Sequence, residues 1–431
     1  MLIQMILFKL YYYIKIFLVF KKALIRSYIF RVYNINKIKQ LENKLLENKK
    51  YLAVLNTTSI GALSVQLDFF YKFSIANNLN INKSFYFLGS KKVCNKYFIK
   101  KISEIIKINY DDQLLDLLMI HGGLKKFIKK KICIKFENDF VNFMPNVHFP
   151  IKFTPQENKR GNKILKHIGI KGKKNIVGFS FKNNDYWQAK NIEKPWDSYR
   201  FSSFENLKAT IEYLNERNFQ PILLGNYSFA KEVKIDNFII PNNLKKKDRD
   251  FFDIYIFTKM KFFISGALGL KFLADLFSLP TLVHNGFLPQ WQSNGIFLPK
   301  RLLNKCNNEI LPLDSLLKKK LLCLDIEEGR VSLILKESLV FRNIDEFNLR
   351  QIKVEENSSE EILSATKELI DYVLENKKLT TKQHTEQKLI KKIFFRNKVF
   401  SSFIVNYGIN FGGLFSPSYI RKNKEYLQFF N

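Results

Sequence analysis

The residues best placed to do chemistry sit where apolar runs end. Ser265-Gly-Ala-Leu-Gly269 follows the run Met260–Ile264 and opens a helical pattern that continues to Phe277. Ser265, Gly266 and Gly269 at a helix entrance let backbone N–H groups approach a phosphate. Tight packing of that helix on its strand is the other use such a loop can have. Lys182 and Arg200 can add fixed positive charge. A second loop, Asn56-Thr-Thr-Ser-Ile-Gly61, also lies between an apolar run and a helical pattern. With Asn56, Ser59 and Gly61 it reads either as another anion-friendly lip or as a plain connection, because one glycine is not a dinucleotide fingerprint.

Other chemistries are excluded by what is missing. The chain has no GxxxxGK[ST] run, no HExxH and no GxSxG, so a P-loop nucleotidase, a zincin and a hydrolase elbow are not supported. The five histidines, at 121, 148, 167, 284 and 384, are too dispersed to nominate a metal site, and none is assigned. The four cysteines, at 94, 133, 306 and 323, lack both metal-ligand spacing and the density of a disulfide scaffold.

These loops need elements to hold them. Lys50–Leu55 reads as a strand, 60–77 as a helix and Phe85–Leu88 as a second strand. A Pro-spaced stretch follows, with Pro145, Pro150 and Pro155 marking a boundary within 145–175. Beyond it, strands are expected at 175–181, 221–224, 237–240, 260–264 and 279–283, with helices at 204–217, 250–259 and up to 277. Continuous apolar strands of this kind suit a parallel sheet covered on both faces. The runs at 175–181, 221–224, 260–264 and 279–283 should be neighbours in one sheet. The fold class is therefore α/β, with two Rossmann-like doubly wound domains and ligands at the C-terminal strand ends. The expected division is 1–49 as a basic amphipathic segment, 50–150 as the first domain, 151–380 as the second and 381–431 as a basic helical tail.

Lys plus Arg total 71 against 39 Asp plus Glu, a net charge of +32. Only 12 of the 71 are Arg, in a chain crowded with Lys, Asn, Ile, Phe and Tyr. That pattern fits codon bias better than base reading, where Arg forks lead, so nucleic acid is not expected as a partner. Residues 1–50 hold eleven cations and two Glu, a net +9. Gln4, Lys15, Lys22 and Arg26 fall in one narrow stripe of a helix, with apolar residues filling most of the rest. An interfacial helix on an anionic membrane explains both features. A helix packed on the protein's own core and a single spanning anchor are the alternatives.

Several segments together resemble a bacterial family of glycosyltransferases found with surface-polysaccharide genes. They are NTTSIGAL at 56–63, YRFSSFENLKATIEYL at 199–214, DIYIFTKMKFFISGALGL at 253–270, LFSLPTLVHNGFLP at 276–289, IFLPK at 296–300, ENSSEEI at 356–362 and SPSYIRKNKEYL at 416–427. Arg200, Ser202, Glu205, Asn206, Gly269, Asn285 and Pro289 match the family pattern. Lys182 and Asn183 stand where the family shows an Arg-Asp pair, and Gly266, Ala267 and Leu268 replace a hydroxyl-rich loop.

The resemblance implies a GT-B-like fold and metal-independent transfer of a sugar from a nucleotide-diphosphate donor to a cell-surface glycan or lipid-linked acceptor. It implies no cofactor, the nucleotide-sugar being a substrate. Lys182, Arg200, Ser265, Gly266, Gly269 and Asn285 would hold the donor. Asp185 and Asp253 are the candidate bases, although Asp253 also suits a plain helix-surface role. The Asn56–Gly61 loop would face the acceptor. The expected location is cytoplasmic, at the inner face of the cytoplasmic membrane. The departures at 182–183 and 266–268 leave a second reading open, that of a catalytically impaired scaffold or binding subunit of polysaccharide assembly.

Overall fold

The computed structural model describes residues 36–120, 123–133, 147–170, 175–182, 201–225, 235–266, 268–286, 294–318, 351–396 and 412–428. Residues 1–35 of the basic amphipathic segment expected over 1–49, with its polar stripe, lie outside them; the rest of that segment packs on the protein's own core. Helix α1 (36–47) buries Leu41 and Leu45 against the first sheet. That sheet holds β1 (Tyr51–Leu55), β2 (Phe85–Gly89) and β3 (Ile108–Tyr110), in the order β1-β2-β3 and all parallel. A parallel bridge from Leu52 to Cys133 borders the other side of β1. The connecting helices are α2 (Ile60–Ala76), α3 (Ile81–Ser84), α4 (Lys96–Ser103), α5 (Asp112–Ile120) and α6 (Gly123–Lys129). Alternation along the strand sorts its side chains. Leu52 and Val54 face a cluster with Leu88, Leu114 and Phe127, while Ala53 and Leu55 face Phe70, Phe85 and Phe87.

The second sheet follows α7 (Pro155–His167), whose start carries a Thr154–Glu157 capping box and Pro155. Its early elements are β4 (Asn175–Ser180), α8 (Lys208–Glu216), β5 (Phe219–Leu223), α9 (Lys246–Tyr255) and β6 (Met260–Ser265). Then come α10 (Gly269–Leu276), β7 (Thr281–Gly286), β8 (Gly295–Pro299), β9 (Arg301–Asn304), α11 (Leu313–Lys318), β10 (Ile352–Glu355) and α12 (Ser359–Glu368). The chain closes with α13 (Thr381–Arg396), β11 (Leu414–Phe415) and α14 (Pro417–Lys422). Six strands lie in the order β11-β8-β7-β6-β4-β5, every pairing parallel. The four apolar runs expected to be neighbours are neighbours. The expected strand at 237–240 contributes a single bridge, Ile239 to Ile222.

Both faces of this sheet are covered. Val177, Phe179, Phe262 and Ile264 pack with residues of α8, α12 and α13, while Ile176 and Phe263 face the opposite way, toward α9 and α10. The second of these layers is shared with the first sheet, because α2 lies against α10. Residues 381–396 and 412–428, read from sequence as a basic tail, complete the first layer. Ile390, Ile393 and Phe394 fall on one side of α13 and pack with Phe415, Tyr419 and Ile420. Their basic neighbours hid that apolar side in the composition.

Candidate functional site

The strand orders fix where a ligand can sit. In the second sheet the chain passes from β4 to β5 on one side and returns to β6 on the other. The crevice therefore opens beyond the C-terminal ends of β4 and β6. Those ends are Ser180–Lys182 and Ser265–Gly266, joined by a hydrogen bond from the Gly266 N–H to the Ser180 carbonyl, 3.1 Å. In the first sheet β1 is flanked by β2 and by the Cys133 bridge, so its C-terminal end, leading into Asn56–Gly61, is the corresponding point.

The two loops meet. A Cβ on Gly61 would lie 2.4 Å from the Gly269 Cα, so α2 and α10 start side by side with backbone against backbone. Neither start is capped by a side chain. Ser59 is extended at the N-cap of α2 and makes no capping hydrogen bond, and Leu268 occupies that place before α10. Neither first turn carries an acidic residue. Each helix start presents roughly half a positive charge from its unpaired amides. Two such positive ends in contact, with no acidic residue in either first turn, favour an anion beside them.

The loop residues divide into those spent on the fold and those left for a ligand. The Ser265 hydroxyl is buried and donates to the Gly266 carbonyl at 2.8 Å. The Leu268 N–H also goes to the Gly266 carbonyl, at 2.8 Å. Helix geometry leaves the Gly269 and Leu270 amides as the donors at this lip. On the other lip, Asn56 accepts from the Thr58 N–H and hydroxyl at 3.2 and 2.8 Å, while its own N–H donates to Gln66. Buried Thr57 ties the loop to the one after β2, accepting from the Ser90 N–H at 3.1 Å.

Asn285 has its side-chain amide engaged at both the nitrogen and the oxygen. It sits at φ 54°, and its amide N–H groups reach Ser202 Oγ at 2.9 Å and His284 Nδ1 at 3.1 Å. Its Oδ1 accepts from the Asn357 N–H, and its own N–H donates to Asn357 Oδ1, both at 2.7 Å. It therefore positions Ser202, whose hydroxyl lies 3.6 Å from where a Gly266 Cβ would be. Burial and the nearby Lys300 hold His284 neutral, its basicity pushed down to about 3. Lys300 is itself buried, which lowers it to about 8, and its ammonium donates to the Phe201 carbonyl at 3.2 Å. His284, Lys300 and Asn357 were assigned no role from the sequence, although all three fall within segments that carry the resemblance. The signal available was their position just after apolar runs, at β7, β8 and β10.

Asp253 lies half-buried on α9, with Arg249 one turn earlier. Burial pushes its carboxyl up to about 7, with Arg249 opposing and Asp250 reinforcing the rise. The same helix touches α4 beside the first sheet, where the α4 N-cap residue Asn95 donates to the Asp250 carbonyl at 2.9 Å. Lys182 is half-buried, and its carbonyl receives the Ser202 N–H at 2.9 Å. Asp185 and Arg200 lie outside the described residues, as does Ala267.

No protein-family model and no curated protein matches this sequence. Among solved structures the chain is similar to a glycosyltransferase family 9 protein from Veillonella parvula, at 8% identity over 75% of this chain and 97% of that one, with a TM-score of 0.43. It is also similar to the E. coli ADP-heptose lipopolysaccharide heptosyltransferase II, at 8% identity over 54% and 84% of the two chains and a TM-score of 0.35. A third is E. coli heptosyltransferase WaaC with ADP-2-deoxy-2-fluoro heptose, at 10% identity over 57% and 92% and a TM-score of 0.34. At these scores the likenesses bear on no residue of the site.

Proposed function

We propose that this chain is a glycosyltransferase that moves a sugar from a nucleotide-diphosphate donor to a cell-surface glycan or lipid-linked acceptor. The observation that carries the reading is the meeting of two uncapped helix starts, each at the switch point of a parallel sheet. Such a place suits a diphosphate, and the sequence resemblance supplies the sugar chemistry. In the proposed GT-B-like, metal-independent reaction the bond from the anomeric carbon to the diphosphate oxygen breaks. A bond from that carbon to the acceptor oxygen forms. Negative charge grows on the leaving diphosphate, where the Gly269 and Leu270 amides stabilise it with Arg200 and Lys182. The acceptor hydroxyl gives its proton to a carboxylate. Asp253 on α9 and Asp185 are the candidates for that role. Asn56–Gly61 faces the acceptor, and Asn285 keeps Ser202 against the donor lip.

In this reading the enzyme works at the inner face of the cytoplasmic membrane, held there by the part of the basic segment 1–49 that precedes α1. Among the described residues no helix is long and apolar enough to cross a membrane.

A panel of nucleoside diphosphates in a thermal-shift assay tests the donor site. A diphosphate at about 100 times its dissociation constant should stabilise the fold by about 2.7 kcal/mol. Arg200→Ala should cost about 2–4 kcal/mol of transition-state stabilisation. Gly269→Val, which sets a branched side chain on the lip, should abolish the shift while circular dichroism stays that of the parent. Silence of the parent toward every diphosphate, or an undiminished shift in well-folded Gly269→Val, would overturn the assignment.

A further inference from the structure

The outer side of α13 is a charged surface that the transfer reading does not use. At 100° per residue, His384, Lys388, Lys391, Lys392, Phe395 and Arg396 share one side of the helix. All six are exposed, and Phe395 is 64% exposed, one of two large apolar side chains so placed among the described residues. The helix's one carboxylate, Glu386, lies about 160° round the axis from Lys388.

The opposite side holds α13 firmly. Ile390, Ile393 and Phe394 are buried in the core, and Gln387 exchanges two hydrogen bonds with the backbone of Phe415 on the edge strand β11, at 2.8 and 3.0 Å. The cationic side is therefore presented on a rigid support, and its aromatic ring is mostly exposed.

We propose that this side of α13 docks on an anionic lipid surface. Lysines such as Lys388 and Lys391, on a helix side that carries no carboxylate of its own, match lipid phosphates, and the ring of Phe395 can enter the boundary between headgroups and acyl chains. That apolar demand favours a bilayer over a polyanion, whose phosphates answer the lysines alone. The inference does not depend on the transfer reading.

Partition of the full chain into phosphatidylcholine vesicles, with and without phosphatidylglycerol, tests it. Lys388→Gln/Lys391→Gln removes two cations at about 1 kcal/mol each, and so should weaken binding to the anionic vesicles about 25-fold. Phe395→Ser should weaken binding to both vesicle types. All three side chains point outward, so the melting temperature should hold, and the lysine pair serves alone if Phe395→Ser lowers it. The same changes in a Lys15→Gln/Lys22→Gln/Arg26→Gln background separate this surface from residues 1–35. Unchanged partition in both backgrounds would overturn the proposal. So would lost affinity for a single-stranded oligonucleotide with vesicle binding intact.

Discussion

Gly61→Ala should destabilise the fold by about 2–3 kcal/mol, while Gly269→Ala should change it by less than about 0.5 kcal/mol. The two glycines touch, yet the consequences of adding a methyl group differ. On Gly61 the new Cβ would lie 2.4 Å from the Gly269 Cα and 2.9 Å from its carbonyl oxygen. Those are backbone atoms of another helix, so α2 and α10 must separate along a packed seam. The better helix propensity of Ala returns about 1 kcal/mol at most. On Gly269 the Cβ would meet Gly61 at 3.4 Å, which is ordinary contact. Urea midpoints of the two variants check this, with an unchanged slope showing that stability alone has moved. Equal midpoints would mean that the helices do not meet as described. The pair also separates packing from binding. Gly269→Ala should fold like the parent and still weaken diphosphate binding, because its methyl group lies on the donor lip.

This asymmetry could not be read from the sequence, although both glycines were. Each follows an apolar strand, and that local signal is strong because a strand buried on both faces must be continuously apolar. The neighbours β4, β5, β6 and β7 were legible for the same reason. β11 was not, because two residues carry no period. The contact between Gly61 and Gly269 joins residues 269 − 61 = 208 positions apart, and no local spacing records it. The same holds for Asn285, which looked like a ligand-binding residue after a strand. Two of its partners lie 83 and 72 residues away, and with His284 they engage both ends of its side-chain amide. Lysine was the least informative residue. With 71 cations in the chain, nothing in the sequence distinguishes buried Lys72 and Lys271 from those in solvent.

Those two lysines set up the largest expected effect. Asp275 lies 275 − 269 = 6 positions past Gly269, and Asp68 lies 68 − 61 = 7 past Gly61. Side-by-side helix starts therefore bring the two carboxylates to one level, flanked by Lys271 on α10 and Lys72 on α2. The contacts are 2.7 Å for Lys271–Asp275 and 2.8 Å for Lys72–Asp68, and all four side chains are buried. Burial pushes Asp275 up to about 6; Lys271 opposes the rise and Asp68 adds to it. A raised acid favours the folded state most when protonated. Its contribution is thus full below about pH 4 and is lost as pH rises through about 6. Asp275→Asn should flatten that part of the stability curve. Lys271→Met leaves Asp275 without its partner and should cost about 3–5 kcal/mol near pH 7.5. Near pH 5 the carboxyl can take a proton instead, and the loss should shrink to about 1–2 kcal/mol. Lys271→Met/Asp275→Leu, which removes both charges, should recover most of the stability. Urea titrations at the two pH values decide the matter. A loss independent of pH, or no recovery in the double variant, would show that these charges are not coupled across the seam that joins the two sheets.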